Sequence, residues 1–265
     1  MQLFYRELKA HRKGLFFWSL GMAFLVASDI AKFNAYKTSG TSLSSLIDKF
    51  PKSVQIIFGI NGFDLSKASG YYGVLFLYLA LMATIHAVLL GAEIISKEER
   101  DRTAEFLLVR PIGRRAVLRS KLFAGFCNLI VLNFVTLISS LIFISYFNKG
   151  NPLAHTVFIF MGGIFFLQLI FFTIGIAVAT VRSKPKSSAT IASSILLTTL
   201  ILSYLIDFND RFSSLKIFTP FKYFDAKTLL QQNGLDPKYV VLSLCIIVAL
   251  LIISFTSYSK RDIDC

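Results

Sequence analysis

Ser96 to Lys121 hold the residues best placed for interaction chemistry: Ser-Lys-Glu-Glu-Arg-Asp-Arg-Thr-Ala-Glu-Phe-Leu-Leu-Val-Arg-Pro-Ile-Gly-Arg-Arg-Ala-Val-Leu-Arg-Ser-Lys. Ser96 and Glu99 have the Ser-x-x-Glu spacing of a capping box, which predicts a helix restarting at that point. Glu98, Glu99 and Asp101 fall in its first turns, where carboxylates favour the positive helix end. Pro111 biases Arg110 out of helical geometry, so the helix is expected to stop there. Phe106, Leu107, Leu108 and Val109 form an apolar run on this otherwise charged segment. Amphipathic helices offer such a run to a groove on a partner. Arg114, Arg115, Arg119 and Lys121 then lead into the next apolar run at headgroup level. The plainer alternative is a basic loop that only sets topology.

Reaction chemistry is thin elsewhere. His11, His86 and His155 lie on different segments, with no HExxH, Cys/His ligand spacing or GxSxG turn. His86 precedes Glu93 by seven residues, two helical turns, and reads as a hydrogen-bonded packing residue rather than a proton relay. Asn128, Asn133 and Gln168 read as interhelical hydrogen-bonding groups. Cys127 and Cys245 sit in apolar runs and Cys265 is the last residue, a pattern that suggests neither a disulfide nor a metal site. A GxxxxGK[ST] phosphate loop does not occur, so any ATPase is expected on another chain.

The elements that must carry these residues are long and apolar. The chain has 265 residues, 55% hydrophobic and 16% charged, with 27 Phe. Soluble domains carry about a quarter charged residues, and the mean hydropathy here is +0.65. Six runs have the roughly 20-residue length of a span. They are Leu15–Ala31, Tyr71–Ile95, Leu122–Phe147, His155–Val181, Ser187–Ile206 and Tyr239–Tyr258. The last four contain no Asp, Glu, Lys or Arg. Backbone groups in lipid must be satisfied within the segment, so these runs predict an all-α membrane protein. The alternation of an outer-membrane barrel is missing. One membrane domain over residues 1–265 is expected.

The net charge of +13 sorts by side. With the N-terminus inside, segments 1–14, 96–121, 182–186 and 259–265 hold 17 of the 28 Lys and Arg, including ten of the eleven Arg. The positive-inside rule then places both termini in the cytoplasm. No basic patch interleaved with aromatics points to nucleic acid. Residues 1–28 have the outline of a signal peptide, yet Leu3, Phe4 and Leu8 alternate with charge at helical spacing. That spacing favours an interfacial helix leading into the first span. In segment 32–70, Leu43, Leu46, Ile47 and Phe50, then Val54, Ile57 and Phe58, predict one or two short helices on the outer surface. Segment 207–238 is expected to pack on the outer face. Ser187 to Thr199, rich in small residues, offers a surface for close helix contact.

Thr103-Ala-Glu-Phe-Leu-Leu-Val-Arg-Pro-Ile-Gly-Arg114, followed by Lys121, resembles the Gly-Thr-x-Glu-x-Leu-Leu-x-x-Pro-x-x-Arg…Lys signature of ABC-2 type transporter permeases. Glu7-Leu-Lys-Ala-His-Arg-Lys-Gly14 is similar to the family's lead-in, Thr219-Pro-Phe-Lys-Tyr-Phe-Asp225 to its last outer segment, and Lys260-Arg-Asp-Ile263 to its ending. Arg102 stands where the family usually has Gly before the Thr. The resemblance implies six spans per subunit and two permease subunits around a pathway. It implies two cytosolic ATPase subunits, carrying ATP and Mg, that bind the coupling helices. Glu98, Glu99, Arg102, Thr103, Glu105, Phe106, Leu107, Leu108, Arg110, Pro111 and Arg114 would form that interface. The expected function is the permease subunit of an ABC exporter in a prokaryotic plasma membrane, with no catalytic site of its own. The rival is a secondary transporter or channel without ATP, hinted at by His86 and a helix break at Gly162-Gly163.

Overall fold

The structure, a computed structural model, describes residues 2–39, 50–100, 113–147, 153–182 and 185–260. Six helices in it are long and apolar enough to cross a bilayer. They are α1 (Gln2–Ser39), α3 (Ala68–Arg100), α4 (Arg114–Phe147), α5 (Ala154–Val181), α6 (Pro185–Phe208) and α8 (Pro237–Lys260); α2 (Lys52–Ile57) and α7 (Ala226–Gln232) are short. No strand occurs among the described residues. The protein is an all-α, multi-pass membrane protein.

The lead-in and the first span are one 38-residue helix. At about 1.5 Å per residue it is roughly 57 Å long, well beyond a 30 Å hydrocarbon core. α3 and α5 form the centre of the bundle, while α1 and α8 leave most of their apolar surface outside it. The closest backbone approach explains this centre. A Cβ on Gly91 would stand 2.2 Å from the Phe172 carbonyl oxygen, and one on Gly175 would stand 2.4 Å from that of Val88. Two glycines therefore let α3 and α5 touch backbone to backbone.

Polar groups inside the bundle find partners within it. Tyr72 donates its hydroxyl hydrogen to Ser140 Oγ at 2.8 Å, joining α3 to α4. Asn133 donates to Met161 O at 3.2 Å and Gln168 Oε1 at 3.3 Å, joining α4 to α5 as the sequence suggests. Asn128 departs from that expectation, since it bonds Ala124 O of its own helix. Along α6 the small residues divide: Ser188 and Ala192 are buried, while Thr190, Ser194 and Thr198 face outward. Ser194 and Thr198 return their hydroxyl hydrogens to carbonyls four residues back, at 2.9 and 2.8 Å, and so tolerate an apolar surround.

The end opposite the termini matches expectation in one place and differs in another. α2 is one short helix in segment 32–70; Leu43, Leu46 and Ile47 lie outside the described residues. Gly59 and Gly62 turn the chain back toward α3 with φ of 69° and 78°, a region that favours glycine. The difference concerns segment 207–238. Its first 3-10 helix, Asp210–Phe218, stays exposed, but the stretch from Thr219 through the 3-10 helix Pro220–Lys222 to the start of α7 enters the bundle. Tyr223 and Phe224 are fully buried. Phe224 stacks on Phe166 at 5.5 Å, and Phe221 meets Phe171 at 5.2 Å, both rings of α5. Thr219 donates to Thr199 O at 2.8 Å. Thr199 lies nine residues before the end of α6 at Phe208, about 13 Å along its axis. Irregular backbone at such depth persists where protein encloses it. The insert also explains Gly163, whose missing Cβ leaves room for Phe224 and Leu229. α5 runs unbroken through Gly162 and Gly163, so the helix break of a secondary transporter does not form.

Candidate functional site

Three helices meet at the basic end, where α1 begins, α3 finishes and α4 starts. The predicted restart at Ser96 does not occur. Ser96 donates to Ala92 O at 2.6 Å, and α3 continues unbroken through Arg100. Glu98 and Glu99 are thus in its last turns rather than the first turns of a new helix. α4 likewise begins at Arg114, so Lys121 is already inside it.

This extension of two helices brings opposite charges together out of water. Lys121 is fully buried. Its ammonium donates to Glu98 Oε2 and to the Ile94 carbonyl, tying the first turns of α4 to the end of α3. Glu98 Oε1 accepts from Arg6 Nη2 of α1 at 3.2 Å, and the same nitrogen donates to Glu7 Oε1 at 3.1 Å. Glu7 is 2% exposed. Its other oxygen stands 4.0 Å from His11 Nε2, beyond hydrogen-bond reach, and neither atom has a partner among the described residues. Arg114 Nη1 donates to Ser259 O of α8 at 3.4 Å. Glu93 pairs with Arg100 at 3.4 Å, while His86 sits edge-on to Trp18 with centroids 5.4 Å apart. His86 is thus a packing residue with no relay to Glu93, as expected, but its Nδ1 has no hydrogen-bond partner among the described residues.

Burying two opposite charges costs desolvation that a close, fully bonded geometry offsets; removing one partner is what destabilises strongly. The Lys121–Glu98 pair has that geometry, while Glu7 and His11 beside it do not. What the cluster can do is hold the root of segment 101–112 rigidly, since Arg100 and Arg114 flank that segment on the two helices the cluster joins.

Of the predicted coupling residues, the structure brings Glu98 into the cluster and places Glu99 and Arg114 beside it. Arg102, Thr103, Glu105, Phe106, Leu107, Leu108, Arg110 and Pro111 lie outside the described residues. Sequence reasoning missed the parts of Arg6 and Glu7 and put Lys121 at headgroup level. A signal for Lys121 existed. Val117, Leu118 and Ala124 lie three or four residues from it and are buried, so Lys121 shares their inward stripe.

No curated protein matches the chain. The sequence profile described as "ABC-2 family transporter protein" does, over residues 1–263. With six apolar helices arranged as above and a match across nearly its whole length, the chain belongs to the ABC-2 transporter family.

Proposed function

We propose that this chain is the permease subunit of an ATP-driven exporter, and that segment 98–111 carries the movement of a separate ATPase into the spans. The observation that supports this best is the buried Lys121–Glu98 pair at the root of that segment, joined by the half-exposed Arg6. It joins α1, α3 and α4, so a force on the segment would move three helices as one body, a rigid-body form of switching. Membership of the family supports an ABC ATPase as partner. On this reading ATP and Mg are held by two cytosolic ATPase subunits, and two permease subunits form the pathway. The membrane is a prokaryotic plasma membrane. The outward Thr190, Ser194 and Thr198 offer the second permease subunit a place for close approach.

The test is co-purification of the complex followed by reconstituted transport. Glu105→Lys and Leu108→Asp, both outside the apolar runs, are expected to insert normally yet lose the ATPase and transport. Mass measurement of the wild-type complex in detergent is expected to show two permease subunits. ATPase binding and transport unchanged in both variants would leave the segment a topological role only, and transport by a monomer without ATP would overturn the reading.

Sidedness has its own check. Single cysteines replacing Ser42, Ser213 and Ser259, in a background freed of native cysteines, are treated with an impermeant thiol reagent on intact cells. Labelling is expected at the first two and not at Ser259, because ten of eleven arginines share the side of the termini. Labelling of the Ser259 variant would reverse the topology.

A further inference from the structure

A polar cavity of about 440 Å³ opens at the end opposite the termini, beneath the 3-10 helix Asp210–Phe218 and beside α7. Its charged lining is Asp207, Lys216, Lys222, Asp225, Lys227 and Asp236. These charges are not equivalent. Lys222 donates to Asp207 Oδ1 at 2.5 Å and lies 3.7 Å from Asp225, so one ammonium serves two carboxylates. Asp236 Oδ1 accepts from the Lys238 backbone N–H at 2.9 Å and closes the first turn of α8. Lys216 and Lys227 have no carboxylate partner among the described residues. Lys227 rests 5.8 Å above the Phe63 ring, which fixes the ammonium beside the cavity. Two ammonium groups that form no close ion pair among the described residues therefore face one polar space, which Asp207, Asp225 and Asp236 also line, alongside the hydrogen-bonding side chains of Ser213 and Thr228.

A second observation says what surrounds the cavity. In a 3-10 helix residues three apart eclipse one another. Ser213 and Lys216, three apart, both line the cavity. Phe212 and Phe218, six apart on a different side, are 43% and 69% exposed, and Ile217 is 61% exposed. One short segment thus turns Ser213 and Lys216 toward the cavity and exposes three large apolar groups elsewhere, with Arg211 and Ser214 on the side of Ile217. A segment with exposed aromatic and basic groups suits a bilayer boundary, which would set the cavity at headgroup depth.

We propose that this cavity binds a phospholipid headgroup, with its phosphate held between Lys216 and Lys227. The lipid tails lie against the exposed face of the 3-10 helix. The site is separate from the basic-end cluster and does not depend on how the ATPase couples.

Native mass spectrometry of the purified full chain, titrated with dioleoylphosphatidylglycerol, tests it. A saturable site is expected, absent with dioleoylglycerol, which has the same tails and no phosphate. At about 1 kcal/mol per basic residue near a lipid headgroup, Lys216→Gln/Lys227→Gln should weaken that site about 30-fold. Lys52→Gln, an exposed lysine in α2 at the same end, should leave it unchanged. An unweakened double variant, or an equal loss in Lys52→Gln, would overturn the assignment. Displacement of the lipid by millimolar inorganic phosphate would also overturn it, since the site would then serve free phosphate rather than a headgroup.

Discussion

Lys121→Ala is expected to destabilise the protein by about 3–5 kcal/mol, the cost of leaving one buried charge without its partner. Glu98 would lose its buried ammonium partner, and Arg6, which also bonds it, is half exposed and shared with Glu7. The Ile94 carbonyl would lose its side-chain donor as well. Removing both charges with Glu98→Gln/Lys121→Met should cost less than Glu98→Gln or Lys121→Met alone, because matched removal leaves no orphan. Thermal denaturation in detergent of the two single variants and the double gives the coupling energy directly. Single variants that each cost less than about 1 kcal/mol would mean that the pair behaves as a solvated surface ion pair.

Gly91→Ala is expected to cost about 3 kcal/mol, at the upper end for one inserted methyl group. The new Cβ would meet the Phe172 carbonyl oxygen at 2.2 Å, and a backbone oxygen cannot rotate away as a side chain can. Either α3 and α5 separate or the methyl overlaps the carbonyl. Gly21→Ala is the internal control. Nothing lies within 4 Å of its added Cβ, so the better helix former should be neutral or stabilising by up to about 1 kcal/mol. The same denaturation assay reads both. Equal melting points for the two variants would contradict the contact at Gly91.

The six spans were legible because lipid imposes one requirement on every residue in a run: the run must be long and apolar. Local periodicity also carried Lys121, had its place beside Val117 and Leu118 been weighed against its charge. The capping box misled for a physical reason. Ser96 has an alternative acceptor at Ala92 O, available only if the helix has already formed, and the buried stripe of α3 through Ile94, Ile95 and Glu98 keeps it formed. The insert was hidden for a different reason. Phe221, Tyr223 and Phe224 read equally well as a surface aromatic belt. Their depth is set by gaps in other elements, chiefly the missing Cβ of Gly163, which no local pattern reports.

The insert also constrains the order of assembly. Its slot is walled by α3, α5 and α6, all of which precede it in the chain, so the walls can be standing when it emerges during synthesis. α8 follows it, and Tyr239 at the start of α8 stacks on Tyr223 of the insert at 5.2 Å. The last helix to enter the membrane therefore closes over a segment that must already have been seated. A chain that ended before α8 would have the insert seated but Tyr223 without the ring that covers it.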